Sequence, residues 1–335
     1  MTDNPVLHQL AGADPPLQAL ESGANGRFRR GQDGVKAIFA LTGGQAEFIC
    51  FATHTLCYVR SSLGHPALYP IEPSHIERPV RALLMDLDGT SVHSESFWIW
   101  AIEKTTARLL ENPAFFLEPA DLPYVAGRSV SEHLQHCLDK YCPGQTLSQA
   151  RAAYFELVHA EMEAILQGKV RPGLFDPAPG LKDFIQAVRK QGIKLGLVTA
   201  GLYEKGWPEI VAAFQSMDMG DPRETYDAII TAGFPLRDRQ PGTLGELEAK
   251  PHPWLYAEAA CIGLGIPHAD RHSVVGIEDS AAGILSIRLA GFSAIGLSEG
   301  NIEQSGARVL CDHYCESLSD ALSVVLGPKM GLTDG

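Results

Sequence analysis

The chain has no apolar run approaching the roughly 20 residues that a membrane-crossing helix requires, which excludes a transmembrane helix. Its opening, MTDNPVLHQLAGADPP, lacks a basic stretch followed by an apolar one. No secretory signal is read there, and a cytoplasmic location is expected. Positive charge is also short: 27 Lys and Arg stand against 40 Asp and Glu, for a formal net charge of −13 at pH 7. Nothing offsets phosphate repulsion along a polynucleotide, so broad nucleic-acid binding is excluded. An anionic small molecule is admissible only where a cation or a few basic groups reverse the field locally. No CxxC pair occurs among the seven cysteines, Cys50, Cys57, Cys137, Cys142, Cys261, Cys311 and Cys315. An odd number in a long chain argues against a disulfide framework and for reduced thiols. Cys311 and Cys315 form no CxxC knuckle, and no zinc site is expected there.

Hydrophobic residues make up 45% of the chain and charged residues 20%, as in ordinary folded proteins. A length of 335 residues exceeds what one compact core usually holds, so two or three domains are expected. Residues 1–24 read as a loose lead-in. Two β-prone stretches follow, GVKAIFALTGG and QAEFICFATHTLCYVRS, joined by a TGGQ turn. LGHPALYPIEPSHIERP, with its prolines, reads as a linker. Residues 1–78 therefore form a small, partly β extension that carries no recognisable chemistry. It could serve a protein partner or oligomerisation.

From Val80 the pattern changes. VRALLMDLDG is a continuous apolar run ended by Asp and Gly, the signature of a strand buried on both faces. ESFWIWAIEKTTARLLE and ARAAYFELVHAEMEAIL have helical spacing, with Phe155, Val158, Met162 and Ile165 on one face of the second. Trp98 and Trp100 read as packing residues. After residue 176, GLKDFIQAVRKQG, IKLGLVTAG, YDAIITAG, PWLYAEAACIGLG, SVVGIEDS, AAGILSIRLAG and FSAIGL alternate helix and strand. That alternation implies right-handed βαβ units and a parallel sheet covered on both sides. The expected fold is α/β, with a Rossmann-like three-layer core over residues 79–93 and 176–335. Residues 94–175 form a helical cap inserted after its first strand, expected over the carboxyl edge where ligands bind open α/β sheets.

Four polar stretches stand where strands of that sheet end: Asp86 and Asp88 in MDLDGT, Thr199 in LVTAG, Lys250 in AKPHP, and Glu278 with Asp279 in GIEDS. Burying carboxylates at a strand end is costly unless something pairs with them. Taken alone, Asp88 could cap a turn before Gly89, and EDS could cap a helix. In this order and spacing, the four stretches resemble the motifs of the haloacid dehalogenase superfamily of aspartate-nucleophile phosphotransferases. The resemblance runs from about Ala82 to about Leu322. It is closest to the branch holding β-phosphoglucomutase-like and phosphoglycolate-phosphatase-like enzymes with a helical cap. KPHPWLYAEAACIGLG and IEDSAAGILSIRLAG are the nearest matches, and SES after the first motif also fits.

The resemblance implies a set of roles. Phosphoryl transfer needs an in-line nucleophile, neutralised equatorial oxygens and a protonated leaving group. Asp86 would attack phosphorus and form an aspartyl-phosphate. Asp88 would protonate the leaving oxygen and then activate water. Thr199 and Lys250 would hold phosphate oxygens. Gly89, Thr90, Ala200, Gly201 and, from the cap, Arg128 would surround the substrate. A hard cation, Mg²⁺, would be bound by Asp86, the Asp88 backbone carbonyl and Asp279, with Glu278 direct or through water.

Asp88 also separates chemistries within the superfamily, since dehalogenases need no proton donor at that position. The reading is a Mg²⁺-dependent phosphatase acting on a small phosphorylated metabolite, a sugar phosphate for preference. A phosphomutase shares every motif, and the two differ in whether water reaches the phosphoryl group. A non-catalytic phospholigand sensor has no use for the Asp86/Asp88 pair. His93 carries no assigned role. His133 and His136 lack two further ligands and read as surface or satisfied core rather than a metal site. FPLRDRQPGTLGELEA, 234–249, reads as a surface loop.

Overall fold

A computed structural model describes residues 4–44, 46–60, 66–121, 130–169, 173, 175–232 and 249–327, the side chains of residues 131 and 132 excepted. Arg128 and nearly all of the 234–249 loop lie outside the described residues. The chain divides into two compact units: Met1–Ser91, Ala178–Gly206 and Asp221–Gly335 form the first, and Val92–Pro177 with Trp207–Gly220 the second. No described helix is long and apolar enough to cross a membrane.

The first 71 residues hold α1 (Pro5–Ala11), β1 (Gln18–Ala19), β2 (Ser22–Gly23), β3 (Phe28–Arg29), β4 (Ala37–Ala40), β5 (Ala46–Cys50), β6 (Thr55–Val59) and β7 (Ala67–Ile71). From Asn4 onward the lead-in holds regular structure: α1 is capped by Asn4, whose Oδ1 accepts from the Leu7 amide at 3.1 Å, and β1 joins the sheet. QAEFICFATHTLCYVRS folds as two strands, β5 and β6, turning at Phe51–His54 and paired antiparallel. The linker reading also fails at its centre, because ALYPI is β7, the last strand of the antiparallel sheet β1-β4-β5-β6-β7. Pro70 cannot donate a ladder hydrogen bond, and an edge strand is where a sheet tolerates that loss.

One face of this sheet packs Val35, Ile38, Ile49 and Tyr58 together. The other contributes Leu41, Phe48, Cys57 and Ile71 to a cluster that includes Leu255, Tyr256, Ala260 and Leu285 from the α/β core. The extension therefore shares a hydrophobic core with the motif-bearing part of the chain.

That part holds β8 (Ala82–Asp86) and, further along the chain, α5 (Leu181–Lys190), β11 (Lys194–Leu202), the first turn of α6 (Tyr203–Met217), whose residues from Trp207 belong to the second unit, α7 (Pro222–Thr225) and β12 (Ala228–Ala232). Next come α8 (Trp254–Glu258), β13 (Val274–Glu278), α9 (Ala281–Leu289), β14 (Ser293–Leu297), α10 (Ile302–Ser305), β15 (His313–Cys315) and α11 (Leu318–Leu326). Six parallel strands run in the order β12-β11-β8-β13-β14-β15, so the expected α/β parallel sheet is present. β15 was not anticipated; three residues in a polar context give no hydrophobic run to read. All five residues of β8 and all five of β13 are buried, as strands covered on both faces must be. Register sets Asp86 opposite Val198 and Met85 opposite Ile277, which brings Asp86, Thr199 and Glu278 to one end of three adjacent strands.

In the second unit, β9 (Val92–His93) pairs with β10 (Asp176–Pro177), and α2 (Glu95–Leu109), α3 (Val130–Tyr141) and α4 (Leu147–Leu166) pack around Ala101, Ile102, Leu134, Leu138, Ala150 and Tyr154. Trp98 and Trp100 pack around Phe97. The α4 face differs from expectation: Tyr154 is 2% exposed and Phe155 51%. Two adjacent aromatics cannot share one helix face, and Phe155 turns outward beneath Arg151. His136 Nε2 lies 2.8 Å from Asp121, which also accepts from Lys140 and Tyr141. Burial alone would raise the Asp121 carboxyl; these partners hold it well below the usual carboxylate range. His136 thus belongs to a polar network centred on the buried Asp121, and His133 is buried.

Candidate active site

Asp86 is the last residue of β8 and 5% exposed. Its Oδ1 accepts from Lys250 Nζ, and its backbone carbonyl accepts from the Ser91 hydroxyl. Lys250 Nζ also donates to Glu278 Oε1 at 2.6 Å and to the Val198 carbonyl at 3.4 Å, so each of its three N–H bonds has an acceptor. The Lys250, Asp86 and Glu278 side chains are 6%, 7% and 0% exposed, so this is a buried ion-pair triad. Burial alone would lower the Lys250 ammonium, but Asp86 and Glu278 hold it above its usual value.

Glu278 ends β13 and is saturated. Its Oε1 accepts from Lys250 and from the Tyr256 hydroxyl at 2.8 Å; its Oε2 accepts from the Ser280 amide at 3.2 Å and the Ser280 hydroxyl at 2.9 Å. Gly283 makes room for it, since a Cβ there would lie 1.8 Å from Oε1. Glu278 is therefore built in as the anchor of Lys250. Ser280 also caps α9, accepting from the Gly283 amide at 3.1 Å.

Asp279 comes next. Thr90 Oγ1 lies 3.3 Å from its Oδ1, and the Asn301 amide donates to its carbonyl at 3.1 Å. Gly89 has φ +82°, and a Cβ there would meet Asp279 Oδ2 at 2.2 Å. Gly89 and Thr90 were expected to line the substrate. Thr90 is 0% exposed and packs against Asp279, so its place is behind this carboxylate, whereas Gly89 is partly exposed and turns only its Cβ direction toward Asp279. The physical reason is the tight turn after β8, which tucks Thr90 beneath the β13 end.

Asp88, two residues beyond Asp86, is partly exposed; its Oδ2 accepts from Thr199 Oγ1 at 3.2 Å and its Oδ1 from Lys205 Nζ at 3.0 Å. Thr199 is buried in β11, where its Oγ1 also accepts from the Gly201 amide at 2.9 Å; Ala200 between them is exposed. Gly201 thus spends its amide on Thr199.

Asp86, Glu278 and Asp279 each offer a carboxylate oxygen within 4.8 Å of the others. Burial first, then Glu278, then Asp279 and Asp88 push the Asp86 carboxyl well above its usual value, with Lys250 opposing. Asp279 is raised as well, by burial and by Glu278. Three carboxylates against one ammonium leave two negative charges, which one divalent ion would neutralise. Asp86 and Asp279 would hold it directly, and Glu278, which already accepts four hydrogen bonds, would reach it through water. The donor set is all oxygen, which suits a hard cation.

Sequence reasoning missed Lys205 and Tyr256. Lys205 stands six positions after Thr199 in a charged stretch that looks solvated, and only the turn from β11 into α6 returns it to Asp88. Tyr256 reads as one more apolar position of a helix, yet it is 0% exposed and donates to Glu278.

A sequence profile for haloacid dehalogenase-like hydrolases matches residues 80–291. No curated protein matches the chain significantly. Among solved structures, the chain resembles a predicted phosphoglycolate phosphatase from Haemophilus somnus 129PT, at 18% identity and TM-score 0.51, over 73% of this chain and 98% of that one. A candidate β-phosphoglucomutase from Thermotoga maritima is similar at 16% identity and TM-score 0.50, over 73% and 98%. So is a subfamily IA hydrolase of the same superfamily from Geobacter sulfurreducens, at 15% identity and TM-score 0.50, over 76% and 100%. These likenesses show a shared fold. With a match spanning more than half its length, the chain belongs to the haloacid dehalogenase-like hydrolases.

Proposed function

We propose that the chain is a Mg²⁺-dependent phosphatase that hydrolyses a small phosphorylated metabolite, a sugar phosphate for preference, through a phosphoryl group carried on Asp86. The observation that carries this reading is the pairing of two differently placed aspartates. Asp86 is buried and ion-paired to Lys250, whereas Asp88 is partly exposed beside Thr199 and Lys205. One suits a fixed nucleophile and the other a group that exchanges protons.

Asp86 attacks phosphorus in line, the ester P–O bond breaks, and Asp88 gives its proton to the departing alcohol oxygen. Water then attacks the same phosphorus and passes a proton back to Asp88. The P–O bond to Asp86 breaks, and inorganic phosphate leaves. Lys250 neutralises charge on the phosphoryl oxygens while fixing Asp86, and Thr199 orients Asp88. Held by Asp86, Asp279 and the Asp88 backbone carbonyl, Mg²⁺ would supply the charge that lets a phosphate dianion approach a cluster of carboxylates.

The test is a phosphate-release screen with Mg²⁺ over sugar phosphates, phosphoglycolate, polyol phosphates and nucleotides. Release from a subset of the small esters is expected, lost in Asp86→Asn, with radiolabelled phosphate trapped on the parent by acid quench. No release from any member would refute the reading. Isomerisation of a sugar 1-phosphate with little free phosphate would instead identify a phosphomutase using the same residues.

A further inference from the structure

Residues 1–78 carry no motif, yet they pack directly behind Lys250. β7 alternates, with Ala67, Tyr69 and Ile71 facing inward and Leu68 and Pro70 outward. Being at the edge of its sheet, β7 is free on one side to lie along α9. From there the Tyr69 hydroxyl reaches His252 Nδ1 at 2.7 Å, two residues past Lys250. The Tyr69 ring also meets the His252 ring edge-on at 5.8 Å and the Trp254 ring at 6.5 Å. His252 is only 6% exposed and is tied at its backbone too. Its amide donates to the Ala249 carbonyl at 3.0 Å, and its carbonyl accepts from Ser286 Oγ of α9 at 2.6 Å.

The segment from Ala249 to Trp254 is thus clamped from the extension on one side and α9 on the other. Lys250 sits inside that clamp, and its ammonium must meet Asp86, Glu278 and the Val198 carbonyl together. A lysine stem has four rotatable bonds, so the backbone beneath it must be held still for the head to be held still. We infer that the N-terminal sheet is a brace for the phosphate-binding lysine, and that Tyr69 is the positioning residue through which it acts. The inference rests on the proposed role of Lys250 in phosphoryl transfer.

The test compares Tyr69→Phe with Tyr58→Phe in the full-length protein. Tyr58 lies in the same sheet and loses a bond of the same kind, from Asn25 Nδ2 at 2.8 Å, without reaching the lysine segment. Tyr69→Phe is expected to lower kcat roughly tenfold with KM within about twofold, the size of one lost positioning hydrogen bond. Tyr58→Phe should leave kcat unchanged. Should Tyr69→Phe fold poorly, His252→Leu and His252→Asn replace it: Asn keeps a polar group where Nδ1 stood and should retain most of the rate that Leu loses.

A second readout needs no turnover. In ¹⁵N-lysine-labelled protein, the Lys250 ammonium resonance should move in Tyr69→Phe and stay in Tyr58→Phe. If kcat and that resonance are both unchanged in Tyr69→Phe, the brace is refuted while the phosphatase reading survives. If the parent releases no phosphate from any ester, the phosphatase reading falls and the resonance alone decides the brace.

Discussion

Lys250→Met keeps the length and apolar packing of the stem and deletes one charge. Its consequence follows from burial. With Lys250, Asp86 and Glu278 at 6%, 7% and 0% exposure, removing the ammonium strands two carboxylates away from water. A surface ion pair lost in this way costs about 0–1 kcal/mol, whereas breaking a buried pair costs about 3–5 kcal/mol. The expected loss of stability is therefore about 3–5 kcal/mol, read by urea unfolding in EDTA at pH 7.5. Phosphate release should fall at least about a thousandfold, because in the proposed mechanism the same ammonium neutralises the phosphoryl oxygens. Adding Glu278→Gln to Lys250→Met neutralises the carboxylate that cannot reach solvent. The double variant should regain about 1–3 kcal/mol without regaining activity, whereas Glu278→Gln alone should destabilise. A cost for Lys250→Met below about 1 kcal/mol, as for a surface pair, would refute the triad as the organising contact of the site. Strictly additive costs in the double variant would do the same.

Asp88→Asn should lower kcat by about 10²–10⁴ while Mg²⁺ affinity, measured by calorimetry, changes little; an equal loss of metal affinity would contradict a backbone-carbonyl ligand there. Thr199→Ala should cost about a hundredfold in kcat, less than either aspartate change, as the loss of one orienting donor. Lys205→Met should shift the pH profile of kcat/KM, because it removes the cation bonded to Asp88, and an unmoved profile would deny Lys205 that influence. Asp86 and Asp279 are both raised in the folded protein, so that state binds more protons than the unfolded chain does. Metal-free stability should therefore fall as pH rises from about 4 through neutrality, and Mg²⁺ should add more to Tm at pH 8 than at pH 5.

The α/β core was legible because its strands are buried on both faces and written as continuous apolar runs: ALLMD, LGLVT and VVGIE need no partner to be recognised. The carboxylates that end two of those strands were legible for the complementary reason. Charge placed directly after such a run is costly and demands a function. The extension was read less well, because its signals are ambiguous in one dimension. A proline-bearing strand looks like a linker until it is seen at a sheet edge, and a tyrosine next to a proline says nothing about a histidine far along the chain. Lys205 and Tyr256 failed for the same reason, since a lysine in a charged stretch and a tyrosine in an apolar helix are each what packing alone would supply. Motif position points Thr90 at the substrate, but the turn after β8 places it, fully buried, beneath Asp279.

Local pattern determined the element types, the parallel sheet and the residue types at its carboxyl end, because periodicity and the cost of burying charge act residue by residue. Which of those residues share a hydrogen bond was decided only when β8, β11 and β13 came into register. That alignment gathered Asp86, Glu278 and Asp279 around Lys250, within reach of one another. The Lys250–Asp86, Thr199–Asp88 and Tyr69–His252 pairings join residues more than a hundred positions apart, and interaction energies at that separation exist only once the chain has closed the loops between them.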